Sequence, residues 1–112
     1  MAVQISDNIK SQMRKGFLEY CIMLSLDKHE AYTSDIIQAM RDGGLEVVEG
    51  TIYPLLARLK NNNLLGYRWE ESTQGPPRKY FFLTDDGRSM LGELEHAFGE
   101  INDLVNHIKK IG

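Results

Sequence analysis

Apolar residues in the first 26 positions recur every three or four residues, at Ile5, Ile9, Met13, Phe17, Cys21 and Leu24. That is the period of one helix face. From Phe17 to Leu24 the stretch is apolar nearly all round, which predicts a helix enclosed by neighbours on several sides. Thr33, Ser34 and Asp35 offer N-cap side chains for a second helix that turns Ile36, Ile37 and Met40 inward. Gly43-Gly44 ends it as a left-handed C-terminal glycine would. A third helix is predicted over residues 51–60, with Ile52, Leu55, Leu56 and Leu59 on one face and Tyr53, Ala57, Arg58 and Lys60 largely off it. Pro54 is tolerated only in a first turn, where its missing N–H has no partner, so this helix is expected to begin between residues 49 and 51. Asn61-Asn62-Asn63 ends it.

Two β-type runs, 65–70 and 79–83, bracket Ser72-Thr73-Gln74-Gly75-Pro76-Pro77. The spacing predicts a hairpin with an irregular tip longer than a two-residue turn. Thr84, followed by Asp85 and Asp86, is an N-cap signal for a last helix. In that helix Leu91, Phe98 and Val105 are seven apart, as are Leu94, Ile101 and Ile108. The two tracks interleave as the seam of a coiled coil. Met90, Ala97, Leu104 and Ile111 widen the seam. Such a helix is about 40 Å long at 1.5 Å per residue, whereas the preceding residues make a domain about 25–30 Å across. The seam is therefore expected to meet a second copy through a two-fold interface, with Leu91, Leu94, Phe98, Ile101, Val105 and Ile108 as homodimer contacts. The expected fold class is α+β, mostly α: a winged helix-turn-helix of three helices and a two-stranded wing over residues 1–83. The dimerisation helix, 84–112, belongs to the same compact unit.

A length of 112 residues, 42% hydrophobic and 26% charged, fits one globular domain. No run approaches the roughly 20 apolar residues of a membrane span, and residues 1–15 lack a signal peptide's apolar segment. A cytoplasmic protein with no membrane partner is expected. The single cysteine excludes an intramolecular disulfide and supplies too few sulfurs for structural zinc. Cys21 itself reads as a buried structural thiol. His96 and His107 are about 16 Å apart along their helix, too far to share a metal. No metal and no cofactor are expected. The chain shows no paired nucleophile and base and no Gly-rich phosphate loop, so an enzyme is not expected.

The net charge of −3 hides an asymmetry, since residues 1–49, 50–80 and 81–112 carry −3, +3 and −3. A basic middle third suits a polyanion, and ordinary surface scatter is the other reading. A helix of about 10 Å diameter enters the roughly 12 Å major groove, and a hairpin with Arg78 and Lys79 beside a stiff Gly75-Pro76-Pro77 tip can reach phosphates.

Thr51-Ile52-Tyr53-Pro54-Leu55-Leu56-Ala57-Arg58-Leu59 resembles the recognition-helix motif of the PadR-like transcriptional regulators. The run from Gly75 to Thr84, with Gly87-Arg88 following, is similar to that family's wing and the entry to its dimerisation helix. The resemblance spans essentially the whole chain. It implies a winged helix-turn-helix dimer that represses transcription and is released by a small molecule. Where the family commonly shows Tyr-Gly-Tyr at the start of its second helix, this chain has Tyr32-Thr33-Ser34.

The residues expected at DNA are Thr51, Tyr53, Arg58, Lys60, Arg78 and Lys79. Tyr53 suits a base or phosphate contact, with packing as the other reading. Thr51 caps its helix or touches phosphate, and Arg58 and Lys60 fit solvated surface equally well. Trp69 reads as a packed strand residue rather than a ligand platform. Met13, Phe17, Met90, Leu94 and Phe98 are the expected lining of a pocket for a small apolar or aromatic effector, and plain core is their other role. The leading reading is a sequence-specific regulator of a pseudo-palindromic duplex operator. The alternative is a winged-helix protein-interaction module without DNA binding, a reading the acidic total suggests.

Overall fold

The computed structural model describes residues 2–112, with the side chains of 13, 14 and 16–112. Helices α1 (Ala2–Ser25), α2 (Thr33–Asp42) and α3 (Glu49–Asn61) precede strands β1 (Leu65–Ser72) and β2 (Gly75–Leu83), and α4 (Asp85–Ile111) closes the chain. The strands form a two-stranded antiparallel sheet. Ala31 adds a bridge to Phe81 on the far side of β2, extending the sheet by one residue. The core takes Leu18, Ile22, Met23 and Leu26 from α1, Ile36, Ile37 and Met40 from α2, and Ile52, Leu56 and Leu59 from α3. Leu65, Phe81 and Leu83 of the sheet, Leu91 of α4, and Ala31 and Val47 of the connections join them. Helices α2 and α3 bury the faces their periods predict, but α1 does not. Met13, Phe17 and Leu24 of its expected face are exposed and Cys21 is only partly buried, because the core lies on the side of Leu18, Ile22 and Leu26; Ile5 and Ile9 lie outside the described side chains.

Four further local expectations are corrected. The N-cap of α2 is Tyr32, one residue before the expected cap, and Asp35 acts from the third helical position by accepting the Tyr32 N–H at 3.1 Å. Helix α3 does begin at Glu49, yet this leaves Pro54 in the second turn, not the first. The carbonyl deprived of a partner is that of Gly50, an exposed residue, so solvent can satisfy it. The hairpin tip is only Thr73-Gln74, because both strands run on into the expected loop. Ser72 pairs with Gly75 and Glu70 with Arg78, so Glu71 alone opposes Pro76 and Pro77. That bulge leaves an unpaired residue in β2, where a missing N–H costs no ladder bond. The last correction concerns Leu91. It is buried in its own chain's core, with Met90 and Leu94 packed against it, so Leu91 has no face left for a second copy.

The wing is anchored to the helices at one corner. Thr84 caps α4 by accepting the Gly87 N–H at 2.9 Å and donates its hydroxyl to the Asn63 carbonyl at 2.6 Å. Asn63 has φ +62°, a left-handed turn that asparagine adopts readily, and its side chain reaches Asp86 at 2.9 Å. Arg88 holds both the carboxylate and the carbonyl of Asp27, which ties α4 to the α1–α2 turn.

Candidate nucleic-acid interface

The start of α2, the outer face of α3 and the wing enclose a groove of about 680 Å³. Its aromatic lining is Tyr32, Tyr53, Tyr67, Trp69 and Phe81, and its basic lining is Lys60, Arg78 and Lys79, with Glu49 as the acidic member. Tyr53 stands off the apolar face of α3, 51% exposed, as its position in the helix requires. Lys60, two turns further along, reaches over the Tyr67 ring.

Side chains of a strand alternate between its faces, which divides the wing's cations into two settings. On one face Trp69 pairs across the ladder with Lys79 and Tyr67 with Phe81. The Lys79 ammonium sits 4.4 Å from the Tyr67 ring centre and 5.3 Å from that of Trp69. The other face carries a row across the sheet: the Arg68 guanidinium lies 4.6 Å from Tyr80, the Tyr80 and Tyr32 rings are 3.8 Å apart, and Arg78 lies 5.3 Å from Tyr32. Hydrogen bonding to Tyr32, with burial second, pushes the Tyr80 phenol up to about 12. Arg68 is neutralised by Glu30 at 2.7 Å and Glu70 at 2.8 Å. Among the described residues Lys60, Arg78 and Lys79 have no ion-pair partner. Their charge remains available to a polyanion, and the aromatic faces hold it in place at the surface.

The groove gathers Tyr53, Lys60, Arg78 and Lys79 of the six expected DNA residues. Thr51 is exposed at the start of α3 but does not line the groove. Arg58 points the other way and pairs with Glu19 of α1 at 3.3 Å. Arg78 and Lys79 lie within β2, not beside a free loop tip. Trp69 is a correction too: it is 60% exposed and walls the groove, because β1 projects beyond the core before Trp69 is reached. Tyr32, Tyr67 and Trp69 were not expected there. The available signal was the alternation of Tyr67 and Trp69 on one strand face, opposite Lys79. Of the expected effector-pocket residues, Phe17 and Phe98 meet edge to face at 5.4 Å, while Met13 is exposed; none of the five lines the groove.

Residues 22–93 match the family described as the transcriptional regulator PadR-like family. A PadR-like transcription factor from Bacteroides fragilis, known from its X-ray structure, is 66% identical to this chain. The match covers 90% of this chain and 98% of that one, with a TM-score of 0.79. A PadR-like transcriptional regulator from Bacillus cereus is 36% identical over 87% of this chain and 95% of its own, at a TM-score of 0.78. A PadR family transcriptional regulator from Eggerthella lenta is 28% identical over 96% and 94% of the two chains, with a TM-score of 0.83.

Proposed function

The chain belongs to the PadR-like family of transcriptional regulators, and from that premise we propose that it is a homodimeric repressor of a pseudo-palindromic operator, released by a small apolar or aromatic effector. The observation that carries the DNA-binding part is the groove, whose lining sets Lys60, Arg78 and Lys79, without ion-pair partners among the described residues, beside the exposed Tyr53 of α3. In this reading α3 enters the major groove, with Tyr53 and Thr51 at its leading end, and the wing cations hold the backbone. Two copies related by a two-fold axis set the half-sites one or two helical turns apart. The effector's place is the α1–α4 contact, where Phe98 meets Phe17 and Tyr20. A ligand wedged there changes the angle of the long helix that joins the two copies.

Titration of a labelled duplex, selected for binding from a random library, across a salt series tests the DNA-binding part. Arg78→Ala should weaken all sequences alike and flatten the slope of log affinity against log salt by about one per lost phosphate contact in each subunit. Tyr53→Ala should lower specific binding more than nonspecific binding, by roughly 1–3 kcal/mol for one good base contact. Absence of salt-dependent binding by the wild type would leave the protein-interaction module as the better reading.

A further inference from the structure

We infer that Trp69 is a DNA contact, its indole forming the wall against which one sugar-phosphate strand packs between α3 and the wing. The inference rests on the DNA-binding reading above and extends it to the shaft of the wing. Adjacent grooves of a duplex are separated by a single backbone strand. With α3 in the major groove and the wing on its flank, that strand runs between them, along the groove described here. The groove's chemistry matches it. Lys60 and Lys79 both stand over the Tyr67 ring, 5.5 and 4.4 Å from its centre, without ion-pair partners among the described residues, and they supply positive charge to the groove. Trp69 supplies what phosphates cannot use but deoxyribose can, a broad apolar face beside a cation. The indole stands nearly perpendicular to the Tyr67 ring, 87° apart, with the Lys79 ammonium 5.3 Å from its centre, so an aromatic surface and a cation meet at the groove wall. Trp69 is 60% exposed and lies outside the core, with Tyr67 and Lys79 of the wing as its aromatic and cationic neighbours, so most of its surface is open to a ligand.

Trp69 is the only tryptophan of the chain, so its emission reports on this wall alone. The full-length protein is titrated with the selected duplex while duplex anisotropy and tryptophan emission are followed together. The expected result is a change in emission in step with the rise in anisotropy, and reduced quenching by acrylamide in the complex. Trp69→Ala should weaken binding about 3–10-fold per subunit and leave the salt slope as in the wild type, because no charge is lost. Trp69→Phe should recover most of the affinity. Saturation of the duplex with emission and acrylamide quenching unchanged would overturn the inference while leaving DNA binding intact. A Trp69→Ala variant with a flattened salt slope would also overturn it, by assigning the indole to holding Lys79. No rise in anisotropy with any duplex would instead refute the DNA-binding reading itself.

Discussion

At the residue scale, backbone proximity sets which positions tolerate change. Gly87 is buried under the β1 approach, and a Cβ there would stand 2.0 Å from the Leu64 carbonyl oxygen, which also accepts the Thr84 N–H at 3.2 Å. Neither group is a flexible side chain. Gly87→Ala must therefore separate α4 from the wing root, at a cost of about 2 kcal/mol or more. Gly99, on the same helix, has open space around its Cβ position and is exposed. Gly99→Ala should stabilise, by up to about 1 kcal/mol from helix propensity. Thermal unfolding followed by circular dichroism should show shifts of opposite sign, and a neutral Gly87→Ala would contradict the packing described. Cys21 illustrates the same dependence on surroundings: burial pushes its thiol up, which keeps it an unreactive, partly buried apolar group.

At the scale of elements, the row Arg68–Tyr80–Tyr32–Arg78 couples the wing to the start of α2. Tyr80 is the central slab, so Tyr80→Ala should release Tyr32 and with it the seat of Arg78, whereas Tyr80→Phe keeps the stack. In a double-mutant cycle for duplex binding, Tyr80→Ala and Arg78→Ala should be coupled by about 1 kcal/mol. Strict additivity would mean that Arg78 acts independently of the stack. Nothing in the order of residues announced this row. Tyr32 and Tyr80 are 48 positions apart, and only the Ala31–Phe81 bridge sets them opposite each other. What the sequence did carry were features with a strong local cause: the helical periods of α2 and α3, the Thr84 cap, the asparagine terminus of α3 and the wing's position. Misreadings fell where a neighbour outweighed local preference. Asp35 moved the α2 cap back by one residue, a bulge absorbed Pro76 and Pro77, and Trp69 was read as packed because strand alternation does not tell where a sheet leaves the core.

At the scale of the molecule, the shape is governed by a helix that outruns its support. The principal extents are 58 × 35 × 24 Å, and among the described side chains the last aromatic contact of α4 is Phe98, which rests on Phe17 and Tyr20. Beyond it Ile101, Leu104, Ile108 and Ile111 are each at least half exposed, and Val105 nearly so. The predicted seam is thus divided: Leu91 and Leu94 serve the monomer's core, and the later residues are exposed and free to pair in the proposed dimer. This separation determines how dimerisation should be tested. Leu94→Glu would place a carboxylate against the chain's own core and confuse folding with assembly. Ile101→Glu with Ile108→Glu alters only residues that the monomer already exposes. In a two-fold interface the two substitutions would bury four carboxylates among apolar side chains, at several kcal/mol in total. Sedimentation velocity at micromolar concentration should show the wild type as a dimer of 112-residue chains. The double variant should sediment as a monomer with unchanged helicity. It should also lose most of its operator affinity, since each copy then binds one half-site alone. A wild type that sediments as a monomer would overturn the dimer itself, and a double variant that remains dimeric would place the pairing surface elsewhere; either leaves the outward stripe of α4 without a role.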